Sequence, residues 1–264
     1  MLVGALAKGA MRVRDSLCFR AMRLACEPVE RKPLYCRIDR GLVSFTFDDF
    51  AESAHRVGGR ILEDHGVRGT FYAALGLMGH DCREPMGRAA QGICEVSREG
   101  HEIGCHTFSH LDCVAADEAA LLADIEQSAR AFQLVLGQRV THFAYPYGRV
   151  SPDVKRRVAP LFESCRGIFP GVNRCPVDLA LLRANRLYGS RRHFERARRL
   201  IQQVSRGGGW VIFYSHDISD TPSRYGCSPW ELRRIVDLAV RTTTVLPVGR
   251  VLARLRDGGS ECQG

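Results

Sequence analysis

The fold is indicated first by residues 42–49, whose sequence is LVSFTFDD. The apolar run from 42 to 47 is rich in residues that favour β-strands, and it ends in two adjacent carboxylates, Asp48 and Asp49. Side chains alternate between the two faces of a strand, but the backbone turns where a strand ends, so both carboxylates can converge on one site. The alternative is that Asp49 only caps the helix that follows.

Segments with strand and helix patterns alternate along the rest of the chain. Helices are predicted at 52–65, 117–136, 193–205 and 229–241, with another that begins at Ser151-Pro152-Asp153, and strands at 69–75, 102–105, 140–145, 162–166, 185–188, 210–215 and 242–246. Such alternation is typical of a parallel α/β sheet covered by helices, and about seven units predict a closed or nearly closed barrel. A chain of 264 residues with 45% hydrophobic content is expected to form a single domain.

The composition restricts the class of partner and the compartment. The net charge is +9, almost all of it from scattered arginines, and no aromatic-interleaved basic motif accompanies it, so nucleic acid is not an expected partner. The 11 cysteines are odd in number and form no C-x-x-C pair, which favours free thiols in a reducing compartment. Lys8, Arg12 and Arg14 interrupt any apolar export segment, and we therefore expect a cytoplasmic protein.

Three histidines follow predicted strands and are candidates for metal binding and proton transfer. His106 and His110 come after the strand at 102–105, and imidazole combined with carboxylate suits zinc or a similar first-row ion. A His-x-x-x-His pair taken alone is more often structural. His216 follows the strand at 210–215, and the ordinary pKa of histidine suits a proton donor near neutrality.

The sequence FAYPYG at residues 143–148 ends another predicted strand in a rigid turn. Such a turn can present a backbone N–H to an oxyanion, and Tyr145, Pro146 and Tyr147 could wall a sugar-sized pocket as substrate-binding residues. The alternative is a proline turn packed with core aromatics.

In order and spacing these motifs resemble those of the polysaccharide deacetylase family, which is carbohydrate esterase family four and includes chitin and peptidoglycan deacetylases. The resemblance extends over about residues 43–253 and implies a distorted (β/α)7 barrel with metal-dependent hydrolysis of an acyl group on a sugar. Carried over residue by residue, it implies a general base at Asp48, metal ligands at Asp49, His106 and His110, an oxyanion donor in the Tyr147 amide, and a general acid at His216.

The chain departs from the commoner family pattern at the arginine that holds the base. Many members have an arginine before the Pro-Tyr turn, where this chain has Ala144. We predict that Arg186, or else Arg183, orients Asp48 instead. The alternative is that these are surface arginines in an arginine-rich chain.

The resemblance predicts a metal-dependent carbohydrate N-deacetylase that removes an N-acyl group, foremost N-acetyl, from a sugar. The expected substrate is an N-acylated saccharide in a glycan, a nucleotide sugar or a lipid-linked form. The expected cofactor is one divalent metal, Zn²⁺ first and Co²⁺, Mn²⁺ or Ni²⁺ as alternatives. Two other functions remain open: an amidase on a cyclic imide or ureide, and a catalytically silent glycan-binding module.

The predicted organisation is an N-terminal helical extension (1–40), the deacetylase-like barrel (41–258) and a tail (259–264). Within residues 1–26, apolar residues recur at roughly helical spacing among many basic ones. This pattern is typical of a basic amphipathic helix that contacts an anionic membrane surface. The alternative is a helix that packs across the bottom of the barrel.

Overall fold

The computed structural model describes residues 17–29, 31–77 and 88–257. Its helices are α1 (Leu17–Cys26), α2 (Arg60–Asp64, preceded by a π-helical segment, Ala54–Gly59), α3 (Arg88–Arg98), α4 (Glu118–Leu136), α5 (Pro152–Val158), α6 (Arg191–Gly207), α7 (Pro229–Thr242) and α8 (Val248–Asp257). Its strands are β1 (Pro33–Leu34), β2 (Gly41–Asp48), β3 (Thr70–Ala73), β4 (Glu102–Cys105), β5 (His142–Ala144), β6 (Ser164–Arg166), β7 (Val177–Asp178), β8 (Asn185–Arg186), β9 (Gly209–Ser215) and β10 (Thr244–Val245).

Seven of these strands form one continuous parallel sheet. Their order is β6-β5-β4-β3-β2-β9-β8, and β10 pairs in parallel with the first half of β2. The sheet curls into a half-barrel, and a bridge between Arg166 and Leu182 draws the β6 edge towards the chain that leads into β8. The prediction of a single-domain α/β fold of the distorted (β/α)7 type is confirmed.

The central strands are apolar along their whole length because both faces of the sheet are covered. Every residue of β2 and β9 is buried. Alternate residues of β9 divide between two cores: Val211 and Phe213 pack on the helix side, whereas Ile212 and Tyr214 pack inside the half-barrel.

Helix boundaries follow capping signals that are visible in the sequence. Asp117 accepts a hydrogen bond from the Ala120 amide at 2.8 Å and begins α4, which ends at Gly137 with a left-handed φ of 69°. Ser151 caps α5 by accepting from the Val154 amide at 3.1 Å. These bounds confirm the helices predicted at 117–136 and after Ser151.

The segment that precedes the barrel is fixed to it by a buried lysine. Lys155 Nζ donates to the carbonyls of Cys26 (2.8 Å) and Val29 (2.7 Å) and pairs with Asp178 at 3.0 Å. The end of α1 therefore packs against α5. Membrane contact is predicted for residues 1–26, of which residues 1–16 lie outside the described residues, as does the tail at 259–264.

The structure also describes the helices and cysteines that bear on membrane spanning and on disulfide formation. None of the helices in the described ranges is both long and apolar enough to cross a bilayer. Eight of the cysteines are free thiols in the structure, and most of these are buried: Cys26, Cys36, Cys94, Cys105, Cys113, Cys165, Cys175 and Cys227.

Candidate active site

The polar residues singled out in the sequence meet at the carboxyl ends of the parallel strands. Asp48 ends β2 and Asp49 follows it, His106 and His110 follow β4, and His216 follows β9. In barrels of this kind the carboxyl-terminal edge of the strands carries the functional groups. The half-barrel therefore gathers residues that are far apart in sequence at one rim.

Three of these side chains form a candidate metal site. His110 Nε2 lies 3.2 Å and His106 Nε2 3.5 Å from Asp49 Oδ1. One donor atom from each residue lies within 4.8 Å of the others. A carboxylate and two imidazoles at this separation suit a first-row divalent ion that keeps a coordination position open for substrate.

A hydrogen bond fixes the proton of His106 on the nitrogen that faces away from the site. His106 Nδ1 lies 2.7 Å from the Ala144 carbonyl oxygen. Because a carbonyl can only accept, Nδ1 carries the proton and Nε2 presents its lone pair towards Asp49. This is the tautomer that a metal ligand requires, so the donor set fits the predicted cation.

The electrostatics favour the protonation states of metal ligands. Burial, with a smaller contribution from the charge of His110, lowers the pKa of His106 to about 4, so this imidazole is neutral near pH 7. Burial opposes ionisation of Asp49, but its hydrogen bond with His110 and the neighbouring imidazoles outweigh that effect and hold the pKa of the carboxyl well below its usual range. His106 is therefore neutral and Asp49 is ionised, as metal ligands must be.

Backbone strain is concentrated at this rim. Among the described residues, every non-glycine residue with a positive φ belongs to the site loops: Asp49 (64°), Phe50 (53°), Thr107 (61°), His110 (57°) and Tyr147 (57°). The left-handed region is costly for residues with a Cβ and persists only where surrounding contacts impose it. Such clustering is characteristic of functional sites.

One of those contacts comes from Asp124, on α4. Its carboxylate accepts from the Phe108 amide at 2.6 Å, from the Ser109 amide at 3.2 Å and from the Ser109 hydroxyl. These bonds hold the loop between His106 and His110. Asp124 is therefore a positioning residue for the candidate metal site.

The second carboxylate of the pair, Asp48, is held by a residue that the sequence analysis missed. Arg166 Nη2 donates to Asp48 Oδ1 at 2.6 Å, and both side chains are buried. The guanidinium carbon lies 4.9 Å from the ring centroid of Tyr72 and 5.2 Å from that of Tyr214. Two aromatic faces therefore fix the arginine in the orientation that reaches Asp48.

The prediction that Arg186 or Arg183 orients Asp48 is wrong. Arg183 pairs with Glu27 at 2.6 Å. Arg186 ends β8 and lines a separate cavity beside α6. The physical reason is that Arg166, at the end of β6, projects into the half-barrel, which strand spacing alone does not reveal. A signal was present, because Arg166 is the last residue of the strand predicted at 162–166.

His216 is positioned with one nitrogen towards the metal ligands. Its Nδ1 lies 3.3 Å from the Tyr225 carbonyl oxygen, so Nδ1 carries a proton, and its Nε2 lies 3.8 Å from Asp49 Oδ2. The neighbouring Asp217 instead accepts from the Ser223 amide at 2.7 Å. His216 is thus oriented by a backbone carbonyl, and Nε2 is the atom available for proton transfer in the site.

The turn after β5 contributes one of its three predicted substrate-binding residues to the rim. Tyr145 is 1% exposed, and its hydroxyl donates to the Ala180 carbonyl at 3.0 Å, so its prediction as a pocket wall is wrong. It packs against Phe143 in the core, as the alternative reading of an aromatic proline turn implies. Pro146 is buried too. Tyr147 alone reaches the site, with its ring centroid 4.4 Å from that of His110.

A second cluster of metal-ligand types, Glu63, Glu99 and His101, lies where β3 and β4 begin. His101 Nδ1 accepts from the Gly69 amide at 3.0 Å, so its Nε2 carries the proton and faces Glu63 Oε1 at 3.2 Å. That nitrogen has no lone pair for a cation. The cluster is a hydrogen-bonded structural group at the edge opposite the candidate site.

The candidate site residues lie in the part of the chain that is similar to a known protein family. The polysaccharide deacetylase family model matches residues 37–161, just under half of the chain and including Asp48, Asp49, His106, His110 and the Tyr147 turn. The predicted resemblance to the polysaccharide deacetylase family is confirmed. A chitin deacetylase from Pestalotiopsis sp. is 30% identical over 106 residues, which are 39% of this chain and 33% of that protein. The matching region thus spans about a third of the length of that relative.

Solved structures of polysaccharide deacetylases share the fold over most of the chain. The chitin deacetylase from Colletotrichum lindemuthianum superposes with a TM-score of 0.58 at 18% identity, covering 84% of this chain and 92% of that one. A family-four pseudoenzyme mutant with restored activity superposes with a TM-score of 0.57 at 15% identity, covering 84% and 71%. At sequence identities of 15% and 18%, these structural similarities show that the fold is shared and nothing more.

Proposed function

We propose that this protein is a metal-dependent carbohydrate N-deacetylase. The observation that carries the proposal is the pair of adjacent carboxylates with different partners. Asp49 faces His106 and His110 as a metal ligand would, whereas Asp48 is bound to Arg166. A site that separates a ligand carboxylate from a base carboxylate fits hydrolysis by activated water.

The candidate ligands are Asp49, His106 and His110, and a divalent ion held there would polarise the acyl oxygen of the substrate and make water more acidic. Asp48 accepts the proton of the attacking water, and the hydrogen bond from Arg166 holds that carboxylate in a fixed orientation. The Tyr147 amide donates to the developing oxyanion at the strained turn. His216 Nε2 delivers a proton to the departing sugar nitrogen, while its Nδ1–H remains bound to the Tyr225 carbonyl.

The proposed substrate is an N-acetylated sugar, and the proposed metal is zinc. None of the residues assigned above is a serine or cysteine nucleophile paired with a base. These groups therefore support direct attack by water, without a covalent acyl-enzyme. A cytoplasmic location remains a prediction.

The silent-module alternative is relevant because the fold also occurs in a pseudoenzyme. The complete set of Asp48, Asp49, His106, His110 and His216 at one rim favours catalysis instead.

The decisive experiment measures acetate release from N-acetylglucosamine oligomers by purified protein. The protein is stripped with a chelator and then loaded separately with Zn²⁺, Co²⁺, Mn²⁺ or Ni²⁺, and Asp48→Asn serves as the inactive control. A cyclic ureide assayed in parallel tests the amidase alternative. If no acetate is released with any metal while the cyclic ureide is opened, the deacetylase assignment is wrong.

A further inference from the structure

Helix α6 carries more than half of the net charge of the chain. Its 17 residues contain six arginines and one glutamate, a net charge of +5 against +9 for the whole sequence. The glutamate, Glu195, pairs with Arg191 at 3.9 Å and with Arg198 at 3.8 Å. The other four arginines therefore have no acidic partner within the helix.

These four arginines form one stripe along α6. They recur at spacings of four, three and seven residues, and Gln203 occupies the one position of the stripe that lacks an arginine: Arg192, Arg196, Arg199 and Arg206. All four are exposed, and within the described part of the chain none of them pairs with a carboxylate. At the helical rise per residue, the arginine stripe is about 21 Å long.

A basic groove begins where α6 ends. Ile38 lines this groove, and its carbonyl approaches Gly208, the C-cap of α6, so closely that a Cβ there would overlap it. The groove contains Asp39, which pairs with Arg37 at 2.6 Å, and Asp257. Three further exposed arginines line it: Arg40, Arg250 and Arg254. The basic surface thus extends beyond the arginine stripe.

The arginine stripe begins beside the candidate active site. Helix α6 follows β8, whose last residue, Arg186, pairs in register with Tyr214, two residues before His216. The other end of α6 packs where β2 begins, since a Cβ at Gly41 would lie 2.8 Å from the Val204 backbone carbon. The stripe therefore runs along the side of the half-barrel, away from the rim that carries the site.

The chemistry of the stripe suits phosphate groups spread over a surface. Guanidinium groups only donate, and they pair bidentately with phosphate oxygens. Exposed arginines distributed over about 21 Å can each meet a different phosphate but cannot all reach one small anion. Nucleic acid is less well suited, because α6 has no tyrosine or tryptophan and its Phe194 is buried, so that bases would have no aromatic ring on which to stack.

We propose that the arginine stripe of α6 docks on an anionic phospholipid bilayer. This contact is separate from the one predicted for residues 1–26, because the stripe belongs to the barrel. The attraction comes from arginines held next to the anionic headgroups and falls off within a Debye length. With α6 against the bilayer, the rim of the candidate active site would open beside the membrane surface, where saccharides carried by lipids are presented.

Co-sedimentation with vesicles tests the proposal on the full chain. Vesicles of phosphatidylcholine and phosphatidylglycerol in equal parts are mixed with the wild type and with the double variant Arg192→Gln/Arg199→Gln. The matched control is Arg191→Gln/Arg198→Gln, which removes the same charge at the same spacing from the same helix but leaves the stripe intact. At about 0.1 M salt, where the Debye length is about 10 Å, we expect the stripe variant to bind about tenfold or more weakly and the control to lose about threefold or less.

Vesicles of phosphatidylcholine alone should bind none of the three proteins, and about 1 M salt should release the wild type. Equal weakening in the two double variants, or equal binding by the wild type and the stripe variant, would overturn the proposal, because net charge or another part of the chain would then explain the binding. Stripe-dependent binding of single-stranded DNA in a gel-shift assay, without binding of anionic vesicles, would also overturn it. No measurement here involves turnover, so failure of the proposed deacetylase activity would leave these outcomes unchanged.

Discussion

Arg166 donates a hydrogen bond to Asp48 across 2.6 Å, between the ends of two strands that are not neighbours in the sheet. Both side chains are buried, and the rings of Tyr72 and Tyr214 cover the guanidinium. Burial of a charged group is costly unless the group is paired, and a base needs a fixed direction for its lone pair. This one ion pair meets both requirements and connects β6, at one edge of the half-barrel, to β2.

Arg166→Met should lower kcat by about 100-fold or more, because Asp48 loses the hydrogen-bond donor that orients it. The metal content should stay at the wild-type level. Removal of one partner of a buried ion pair is also expected to lower the free energy of unfolding by about 3–5 kcal/mol, which chemical denaturation measures. Arg166→Lys, which keeps the charge, should recover part of both losses.

Arg183→Met is the control for Arg166→Met, because Arg183 pairs with Glu27 rather than with Asp48. It should behave like the wild type in turnover. Normal kcat in Arg166→Met, or equal losses in both variants, would contradict the role assigned to Arg166.

Separate substitution of the two adjacent carboxylates should distinguish the role of the base from that of the metal ligand. Asp48→Asn should retain metal and lose most turnover, because an amide cannot accept the proton of water. Asp49→Ala should lose both, because it removes a charged ligand. Elemental analysis and acetate release on the same preparations provide the measurements, and identical behaviour of the two variants would leave the assignment of base and ligand unsupported.

The histidine ligands can be tested by metal content alone. His106→Ala and His110→Ala should each reduce the bound metal from about one ion per chain to a small fraction, since three protein ligands are the usual minimum for a catalytic zinc site. Glu63→Gln is the control, because it alters the other cluster of metal-ligand residue types. Undiminished metal in either histidine variant would remove that residue from the site, and metal loss in Glu63→Gln would implicate the second cluster.

Asp124→Ala should weaken metal binding by about 10-fold to 100-fold, although Asp124 is not a proposed ligand, because the loop that carries the histidines loses its fixed conformation. Competition with a chromogenic chelator measures this affinity. Asp124→Asn retains an acceptor oxygen and should recover part of it.

The control on the same helix is Asp117→Ala, which removes the N-cap of α4. It should lower the free energy of unfolding by about 1 kcal/mol without changing metal affinity. If Asp117→Ala weakened metal binding as much as Asp124→Ala, a general effect on α4 would explain both results.

Membrane contact is predicted for residues 1–26. The structure describes α1 within this segment, and the end of α1 packs against α5. If the contact exists, the wild type should co-sediment with anionic vesicles at low salt and be released at high salt, because attraction between basic residues and anionic lipid is screened. A variant that lacks residues 1–16 should bind less. Equal binding by both proteins, or binding by neither, would contradict the prediction.

The sequence by itself determined the order and type of the main elements, because each signal is local. Continuous apolar runs located β2 and β9, and the caps at Asp117 and Ser151 located two helices. It also determined that Asp48, Asp49, His106 and His110 end or follow parallel strands. That placement predicts convergence at one rim, since the carboxyl ends of parallel strands lie at the same edge.

Only the tertiary structure decided which side chains enter the half-barrel. Arg166 reaches Asp48 because the sheet curls and brings the end of β6 across to β2, whereas Arg186 on the opposite edge strand faces α6. Tyr145 is in the core because the turn directs its ring away from the rim occupied by Tyr147. The direction of a side chain at a strand end depends on curvature and on packing against distant segments, and neither is encoded in the residues next to it.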